Sequence, residues 1–260
     1  MFRFRMIKFV AGGVLSVVSV LYTAAQCRAE YLVNDFTTGN QLDPDVAINA
    51  AGDYVVVWEG QYQDGDGYGV FGRRYGANGL ALDDSFQINS TTAGTQADPA
   101  IAMDPAGTFV VTWRSPDGDD EGVFARQFDA AGVPLAPEYR VNTYTTSRQI
   151  RPEIAMNDSG DYVIVWESNL RPPDDTHRAD WNVCGRAYDF DGTPRSEEFT
   201  VSRDVHGHNA TVAMDESGDF TVAYSRSGDT PNPPLGYSMR LRQRHAKKIR
   251  PVSPQRRSGA

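Results

Sequence analysis

Two acidic segments of the chain carry carboxylates at alternate positions, an arrangement that can surround a cation. The first contains the stretch DGDGYG and the second the stretch DGDDEG; their carboxylates are those of Asp64, Asp66, Asp117, Asp119 and Glu121. Calcium takes six to eight oxygen ligands, and alternate carboxylates with glycines at sharp turns suit such a loop. Position twelve, where a helix–loop–helix calcium site needs a bidentate glutamate, is Phe128, so that type of site is excluded. The spacing predicts a calcium site of another type, in which these carboxylates are ligands and backbone carbonyls supply the remaining oxygens.

A second interpretation of the same residues is a solvated loop between two strands. Glycine and aspartate are favoured in exposed turns for conformational reasons alone. The third copy of this loop offers His177, Ala179, Trp181 and Asn182 at the matching places, which cannot build the same cage. Both interpretations therefore stay open, and no cofactor other than calcium is expected.

Two further series of residues recur and are predicted to be structural repeat positions. An aromatic residue closes one valine-rich run in each repeat, at Trp58, Trp113, Trp166 and Tyr224. An arginine follows in the next apolar run, at Arg73, Arg126, Arg186 and, more loosely, Arg242. Large aromatic side chains in a recurring strand favour packing between repeats. The arginines are expected to pair with the recurring aspartates, because a guanidinium binds a carboxylate through two parallel hydrogen bonds.

The elements that position these residues form a fourfold repeat. The recurring aromatic positions are separated by 55, 53 and 58 residues. Each unit has four short β-branched and aromatic runs with Gly, Asp or Asn between them, which is typical of an antiparallel meander. No segment has a sustained apolar period of 3.6 residues, so almost no helix is expected. A four-stranded unit of this length predicts an all-β, β-propeller-like fold of four blades with four antiparallel strands each.

The ends of the repeat region suggest how the fold closes. Residues 30–34 match the fourth strand of a unit, whereas the last unit has no recognisable fourth strand. An N-terminal strand that completes the last blade would remove exposed sheet edges. An open repeat array, or a fragment of a larger propeller, is the alternative. The repeat domain is placed at 30–244, with units at about 35–89, 90–142, 143–202 and 203–244, the last joined by 30–34.

The two termini differ in composition from the repeat domain. Residues 1–29 have a basic start, an apolar run of thirteen residues and small residues near Ala29, the layout of a signal peptide. A secreted, periplasmic or cell-surface protein without a transmembrane span in its mature form is expected. Residues 245–260 form a basic tail that is predicted to be disordered. A frameshift near the end of a longer gene is a second hypothesis for the origin of this tail.

Charge and cysteine content narrow the classes of partner. Residues 30–239 contain 13 arginines, no lysine and 34 acidic residues, a formal charge of −21. Such a body would repel nucleic acid. Cys27 would leave with the signal peptide, so Cys184 has no disulfide partner and is predicted to be a small buried apolar residue.

The repeat resembles a known type in secreted bacterial proteins. The pattern Gln-x-x-Pro-x-(Val/Ile)-Ala-Met-Asp, then Gly-Asp-(Tyr/Phe)-Val-Val-x-Trp, Gly-Val-Phe-x-x-Arg, Gly-x-Pro and (Phe/Tyr)-x-Val-Asn-Thr is best matched from Gln96 to Thr143. Similar repeats of about 55 residues occur in large, mostly uncharacterised surface proteins, beside adhesion-type or calcium-binding modules. The resemblance covers 31–244 and implies export and a β-propeller-like repeat. It implies no catalytic residue.

These observations favour a non-catalytic function. Motifs for a serine hydrolase, a zinc protease or a phosphate-binding loop are missing from the sequence. We therefore expect an exported binding or scaffold module, supported by calcium, whose ligand is a glycan or a protein. One alternative is a carbohydrate-active enzyme, a glycosidase or a lyase, because a carboxylate pair could form in the fold. The other alternative is a truncated fragment without independent activity. A convergent pair of buried acids near the centre of the propeller would favour the enzyme.

Overall fold

A computed structural model describes residues 30–170, 180–202, 206–227 and 238–244. The predicted signal peptide (1–29) and the predicted basic tail (245–260) lie outside the described residues. The described residues form β-strands, turns and loops and contain no helix, as the sequence predicts. None of them belongs to an element capable of crossing a membrane as a helix.

Each repeat folds into one antiparallel sheet. Neighbouring strands pair in chain order, so that every sheet is a meander. The first sheet contains β1 (Gln41–Ile48), β2 (Tyr54–Gln61), β3 (Tyr68–Tyr75) and β4 (Phe86–Gln87). The second contains β5 (Ala97–Met103), β6 (Phe109–Pro116), β7 (Glu121–Phe128) and β8 (Tyr139–Arg140). The third contains β9 (Gln149–Met156), β10 (Tyr162–Leu170), β11 (Asp180–Tyr188) and β12 (Phe199–Thr200). The fourth contains β13 (His206–Met214), β14 (Phe220–Ser227) and β15 (Ser238–Arg244).

One turn type joins the first two strands of every sheet. In the second sheet the Asp104 carboxylate accepts the backbone N–H groups of Ala106 at 2.8 Å and Thr108 at 2.9 Å. Asn49, Asn157 and Asp215 do the same in the other sheets. Gly107 follows with φ +98°, a conformation that favours glycine. The recurring Asn/Asp and Gly therefore fix the turn at one end of each sheet.

The apolar core lies between the sheets in three clusters. Val55 and Val57 of the first sheet pack against Ile101 and Trp113 of the second. The second cluster joins the second and third sheets and includes Val110, Ile154 and Trp166. The third joins the third and fourth sheets and includes Val163, Phe220 and Val222. The first strands β1, β5, β9 and β13 lie side by side in this order. The fold is therefore all-β and propeller-like, with four sheets packed face to face.

The N-terminal segment makes a different contact from the expected strand. Residues 30–40 form no strand, and the fourth sheet has three strands among the described residues. The Val33 carbonyl accepts hydrogen bonds from Arg73 Nη1 and the Tyr75 hydroxyl, both at 2.9 Å. The carbonyls of Ile88 and Val141, which follow the fourth strands of their sheets, receive equivalent arginine bonds. Val33 therefore lies where the fourth strand of a preceding sheet ends, but without a strand ladder.

Candidate functional site on the inner strands

A bulge in the first strand of each sheet turns one side chain out of the regular alternation. The residues at this position have positive φ although none is glycine; they are Asp43, Asp98, Arg151 and Asn209, with φ of 46°, 53°, 50° and 50°. Strand pairing is interrupted at the same places. A left-handed conformation in a residue other than glycine costs free energy and is often kept at functional sites. The inner strands therefore present four unusual positions at one end of the sheets.

The second strand supplies a carboxylate beside two of these bulges. Glu59 accepts the Asp98 N–H at 3.2 Å, and Glu167 accepts the Asn209 N–H at 2.7 Å. Glu59 directly follows Trp58, and Glu167 directly follows Trp166, which are the recurring tryptophans of their strands. Each glutamate thus links its own sheet to the bulge of the next sheet.

Three carboxylates converge at the first of these places. One oxygen of each of Asp43, Glu59 and Asp98 lies within 4.8 Å of the other two. Glu59 is only 6% exposed, and burial raises its pKa; the nearby Asp43 and Asp98 charges add to this, against the opposing Asp98 N–H bond. Arg114 Nε donates to Asp98 at 2.8 Å. The group combines a buried acid of raised pKa with two further carboxylates, and its oxygens could also hold a cation.

A basic and aromatic group occupies the equivalent place between the third and fourth sheets. Glu167 is 1% exposed and accepts hydrogen bonds from Arg151 Nη1 at 3.4 Å and the Asn209 N–H. His208 Nδ1 lies 3.3 Å from the same carboxylate, and the His208 and Trp181 rings are 6.2 Å apart. The two glutamates therefore have the same position but different neighbours.

A further pair of acids lies on the inner strands. Loss of solvation raises the pKa of Glu153, and the Asp45 carboxylate contributes to the same shift. Asp45 belongs to β1 and Glu153 to β9, and these strands are in sheets that are not adjacent. The Asp45 charge therefore acts on Glu153 although the two residues belong to different sheets.

The carboxylates predicted as calcium ligands make loop contacts instead of converging. Asp66 accepts the Gly94 N–H at 3.0 Å, and Asp119 accepts the Ser147 N–H at 2.7 Å. The Asp64 carboxylate accepts a hydrogen bond from the Gln87 side chain. The Asp117 carboxylate accepts one from the Asp119 N–H. Glu121 forms ion pairs with Arg114 and Arg148. In the part of the chain that the structure describes, the three-carboxylate group close enough to share one cation is Asp43, Glu59 and Asp98. Calcium binding by the predicted residues stays a prediction.

The recurring tryptophans lie inside the protein. Trp58, Trp113 and Trp166 are 3%, 0% and 0% exposed, and Tyr224 packs beside the third apolar cluster. Cys184 is 1% exposed, and burial raises its pKa to about 12. The tryptophans therefore contribute to packing and offer no exposed face to a sugar. Cys184 is likewise too buried to act as a nucleophile.

The recurring arginines are held by carbonyl groups. Arg73, Arg126 and Arg186 lie over the rings of Tyr75, Phe128 and Tyr188 at 5.9, 5.6 and 5.8 Å. Each donates from Nη1 to the carbonyl of Val33, Ile88 or Val141. The expected pairing of these arginines with the recurring aspartates is wrong, because each side chain extends between sheets and reaches backbone oxygens there.

Sequence reasoning missed the residues of both inner groups. A usable signal was the proline that follows the bulge residue in three repeats, at Pro44, Pro99 and Pro152. Proline within a strand marks an edge or a bulge, and a bulge re-aims a side chain. The residue after the strand-closing tryptophan, which is Glu, Arg and Glu in successive repeats, was the second signal.

Comparison with known proteins gives structural likenesses only. No family model and no curated protein sequence matches the chain. The fold is similar to an endo-arabinase from Bacteroides thetaiotaomicron, with a TM-score of 0.48 and 17% identity over 79% of this chain and 75% of that one. It is similar to a Dyadobacter fermentans protein of unknown function, with a TM-score of 0.51 and 13% identity over 72% and 62% of the two chains. It is also similar to a family 25 polysaccharide lyase, an ulvan lyase, with a TM-score of 0.50 and 9% identity over 78% and 56%.

These likenesses correct the functional expectation. The chain was expected to be a non-catalytic binding or scaffold module, whereas a structure of similar fold is a polysaccharide lyase. The structure also places one buried acid, Glu59, beside the exposed Asp43 and the partly buried Asp98, which is a single buried acid and not the expected buried pair. The comparisons therefore contradict the expectation of a non-catalytic module, and the carbohydrate-active alternative is taken up below as a proposal.

Proposed function

We propose that this chain is a carbohydrate-active enzyme that cleaves a polysaccharide at the Asp43, Glu59 and Asp98 group. The observation that carries the proposal is the buried Glu59 carboxyl with two carboxylates whose oxygens lie within 4.8 Å. Hydrolysis of a glycosidic bond needs a proton donor and a second carboxylate, and the two protein side chains flank the bond that is cleaved. The fold shared with an ulvan lyase supports a polysaccharide as the substrate class.

The surroundings of each carboxylate suggest its role. Glu59 is the proton donor, because burial raises its pKa and so favours its protonated form. Asp98 pairs with Arg114, 2.8 Å away, and orients Glu59 through its N–H group. Asp43 is exposed and acts as the carboxylate that meets the sugar.

A lyase reaction is the second candidate, because one structure with this fold is a lyase. Lyases cleave polymers that contain uronic acids, and such polyanions are repelled by a body with a formal charge of −21. Hydrolysis of a neutral polymer is therefore the preferred reaction. Export through residues 1–29 is part of the same proposal, since polysaccharides are extracellular substrates.

The test is turnover by the purified full-length chain on arabinan, xylan and polygalacturonate. New reducing ends report hydrolysis, and ultraviolet absorbance of unsaturated products reports a lyase reaction. Glu59→Gln should lower turnover by about 10²–10⁴-fold, the usual contribution of a proton donor. Glu138→Gln is the matched control, because Glu138 accepts bonds from Ser90 and Thr91 away from the inner strands. A folded wild-type protein inactive on every polymer, or full activity in Glu59→Gln, would contradict the proposal.

A further inference from the structure

Three of the four tryptophans are buried between sheets. The fourth, Trp181, lies at the end of the sheets where the second strand of each sheet ends and the third begins, and this end is called the inner rim. Trp181 is partly exposed at the beginning of β11, and its ring is 6.2 Å from that of His208, with 50° between the planes. At the same repeat position the first and second sheets have Tyr68 and Glu121. The tryptophan is therefore not required by the repeat itself.

Glu167 fixes the polar groups beside this tryptophan. The carboxylate is buried, and it contacts Arg151 at 3.4 Å and His208 at 3.3 Å. The Arg151 side chain remains 58% exposed and that of His208 25% exposed. Hydrogen bonds to a buried acceptor hold side chains in one orientation, which lowers the cost of ligand binding.

The structural role of Glu167 does not account for these three side chains. Glu167 accepts the Asn209 N–H at 2.7 Å, just as Glu59 accepts the Asp98 N–H. Around Glu59 the same link between sheets forms beside Asp43, Asp98 and Arg114. Trp181, His208 and Arg151 are thus additional to the link and are free to serve a ligand.

The chemistry of the group suits a sugar ring. A tryptophan offers a flat apolar face, against which the C–H face of a pyranose can pack. Arginine and histidine N–H groups can donate to hydroxyl oxygens at the ring edge. The Arg151 charge is balanced by Glu167, and the body around it is acidic, so a neutral sugar is favoured over an anionic one.

The group also lies at the same end of the sheets as the proposed catalytic carboxylates. Glu59 and Glu167 hold the same position in β2 and β10, near the end of the strand. In a meander, the end of the second strand and the beginning of the third meet at one edge, where Trp181 lies. A polysaccharide chain lying along the inner rim would therefore meet both groups.

We propose that Trp181, His208 and Arg151 form a binding subsite for a neutral sugar unit of the polysaccharide. The proposal rests on the proposed function for its ligand class. It differs from that function in needing no bond cleavage, so binding alone can test it.

The experiment measures binding in the full-length Glu59→Gln protein, in which turnover is suppressed. Mobility in native gels that contain arabinan, xylan or polygalacturonate gives an apparent dissociation constant for each polymer. Trp181→Ala should weaken binding to a neutral polymer by about tenfold, which is about 1.4 kcal/mol, and Trp181→Phe should restore most of it because an aromatic face is kept. His208→Ala should weaken binding by a smaller factor. Phe190→Ala is the control, because Phe190 is also an exposed aromatic residue but lies at the opposite end of the sheets.

Each result has one meaning. Unchanged binding in Trp181→Ala, preferential binding of polygalacturonate, or no binding of any polymer would overturn the subsite. If Trp181→Ala unfolds, Trp181→Phe and His208→Ala decide the question with unfolding midpoints as a check. Tryptophan-dependent binding without turnover by the wild type would contradict the enzyme and keep the subsite. Turnover with a KM that Trp181→Ala leaves unchanged would contradict the subsite alone.

Discussion

At the scale of single residues, Glu59 and Glu167 show how neighbours decide the chemistry of one side chain. Both follow a buried tryptophan, and both accept an N–H from the bulge of the next sheet. Glu59 faces the carboxylates of Asp43 and Asp98, whereas Glu167 faces Arg151 and His208. The first surroundings raise the pKa of Glu59, whereas the second place an arginine and a histidine against Glu167.

The Glu59 surroundings predict a pH-dependent gain in stability for Glu59→Gln. A raised pKa means that folding is favoured while Glu59 is protonated and loses this contribution as pH rises through the folded-state pKa. The uncharged glutamine keeps an oxygen for the Asp98 N–H and has no charge to bury. The variant should therefore unfold at a higher temperature than the wild type at neutral pH. The difference should disappear below the ordinary carboxyl range, and a constant difference across pH would contradict this prediction.

Cys184 is predicted to be inert towards thiol reagents in the folded protein. Burial raises its pKa to about 12, so almost no thiolate forms at neutral pH. In a Cys27→Ser protein, where Cys184 is the remaining cysteine, a disulfide reagent should label the thiol only after denaturant is added. Stoichiometric labelling of the native protein within minutes would contradict the burial of this residue.

At the scale of elements, the strands that begin each sheet differ in how well they are covered. Ile101 in β5 and Ile154 in β9 are 6% and 9% exposed, because the preceding sheet packs on them. Val46 has the same repeat position in β1 and is 58% exposed. Identical patterning within the strand therefore leads to burial only where another sheet is present.

This difference predicts unequal costs for equivalent substitutions. Ile101→Ala should lower the free energy of unfolding by about 2–5 kcal/mol, because it leaves a cavity between two sheets. Val46→Ala should cost less than about 1 kcal/mol, because the side chain already meets solvent and only strand preference changes. Urea unfolding of both variants measures the two values. Equal losses would mean that Val46 is covered in solution.

At the scale of the whole molecule, the acidic body makes stability sensitive to ions. Residues 30–239 carry a formal charge of −21, and self-repulsion of this size destabilises the compact state. Any salt that screens the repulsion should raise the unfolding temperature. A specific cation must therefore be compared with sodium chloride at equal ionic strength.

That comparison tests the calcium prediction for the acidic loops. If Asp64, Asp66, Asp117, Asp119 and Glu121 bind calcium, millimolar calcium will raise the unfolding temperature beyond the sodium control. A chelator will reverse the rise, and Asp117→Ala with Asp119→Ala will remove part of it. Asp43→Asn is the matched variant for the inner carboxylates, which are the closest three-acid group in the described residues. Equal midpoints in calcium and sodium would contradict the prediction.

The sequence by itself determined the repeat, the all-β class, the turns and the burial of Trp58, Trp113 and Trp166. These features depend on neighbours within a few residues: alternation along a strand, and glycine or aspartate at a turn. They recur four times, so each copy supports the others.

Only the tertiary structure decided which polar side chains meet. The three converging acids, Asp43, Glu59 and Asp98, come from three strands in two sheets. Two of them, Asp43 and Asp98, are themselves bulge residues with positive φ. The contact depends on how one sheet packs on the next and how a single backbone dihedral turns a side chain. No periodicity within a strand encodes either, which is why the loops with the densest acids in sequence were not where the carboxylates converged.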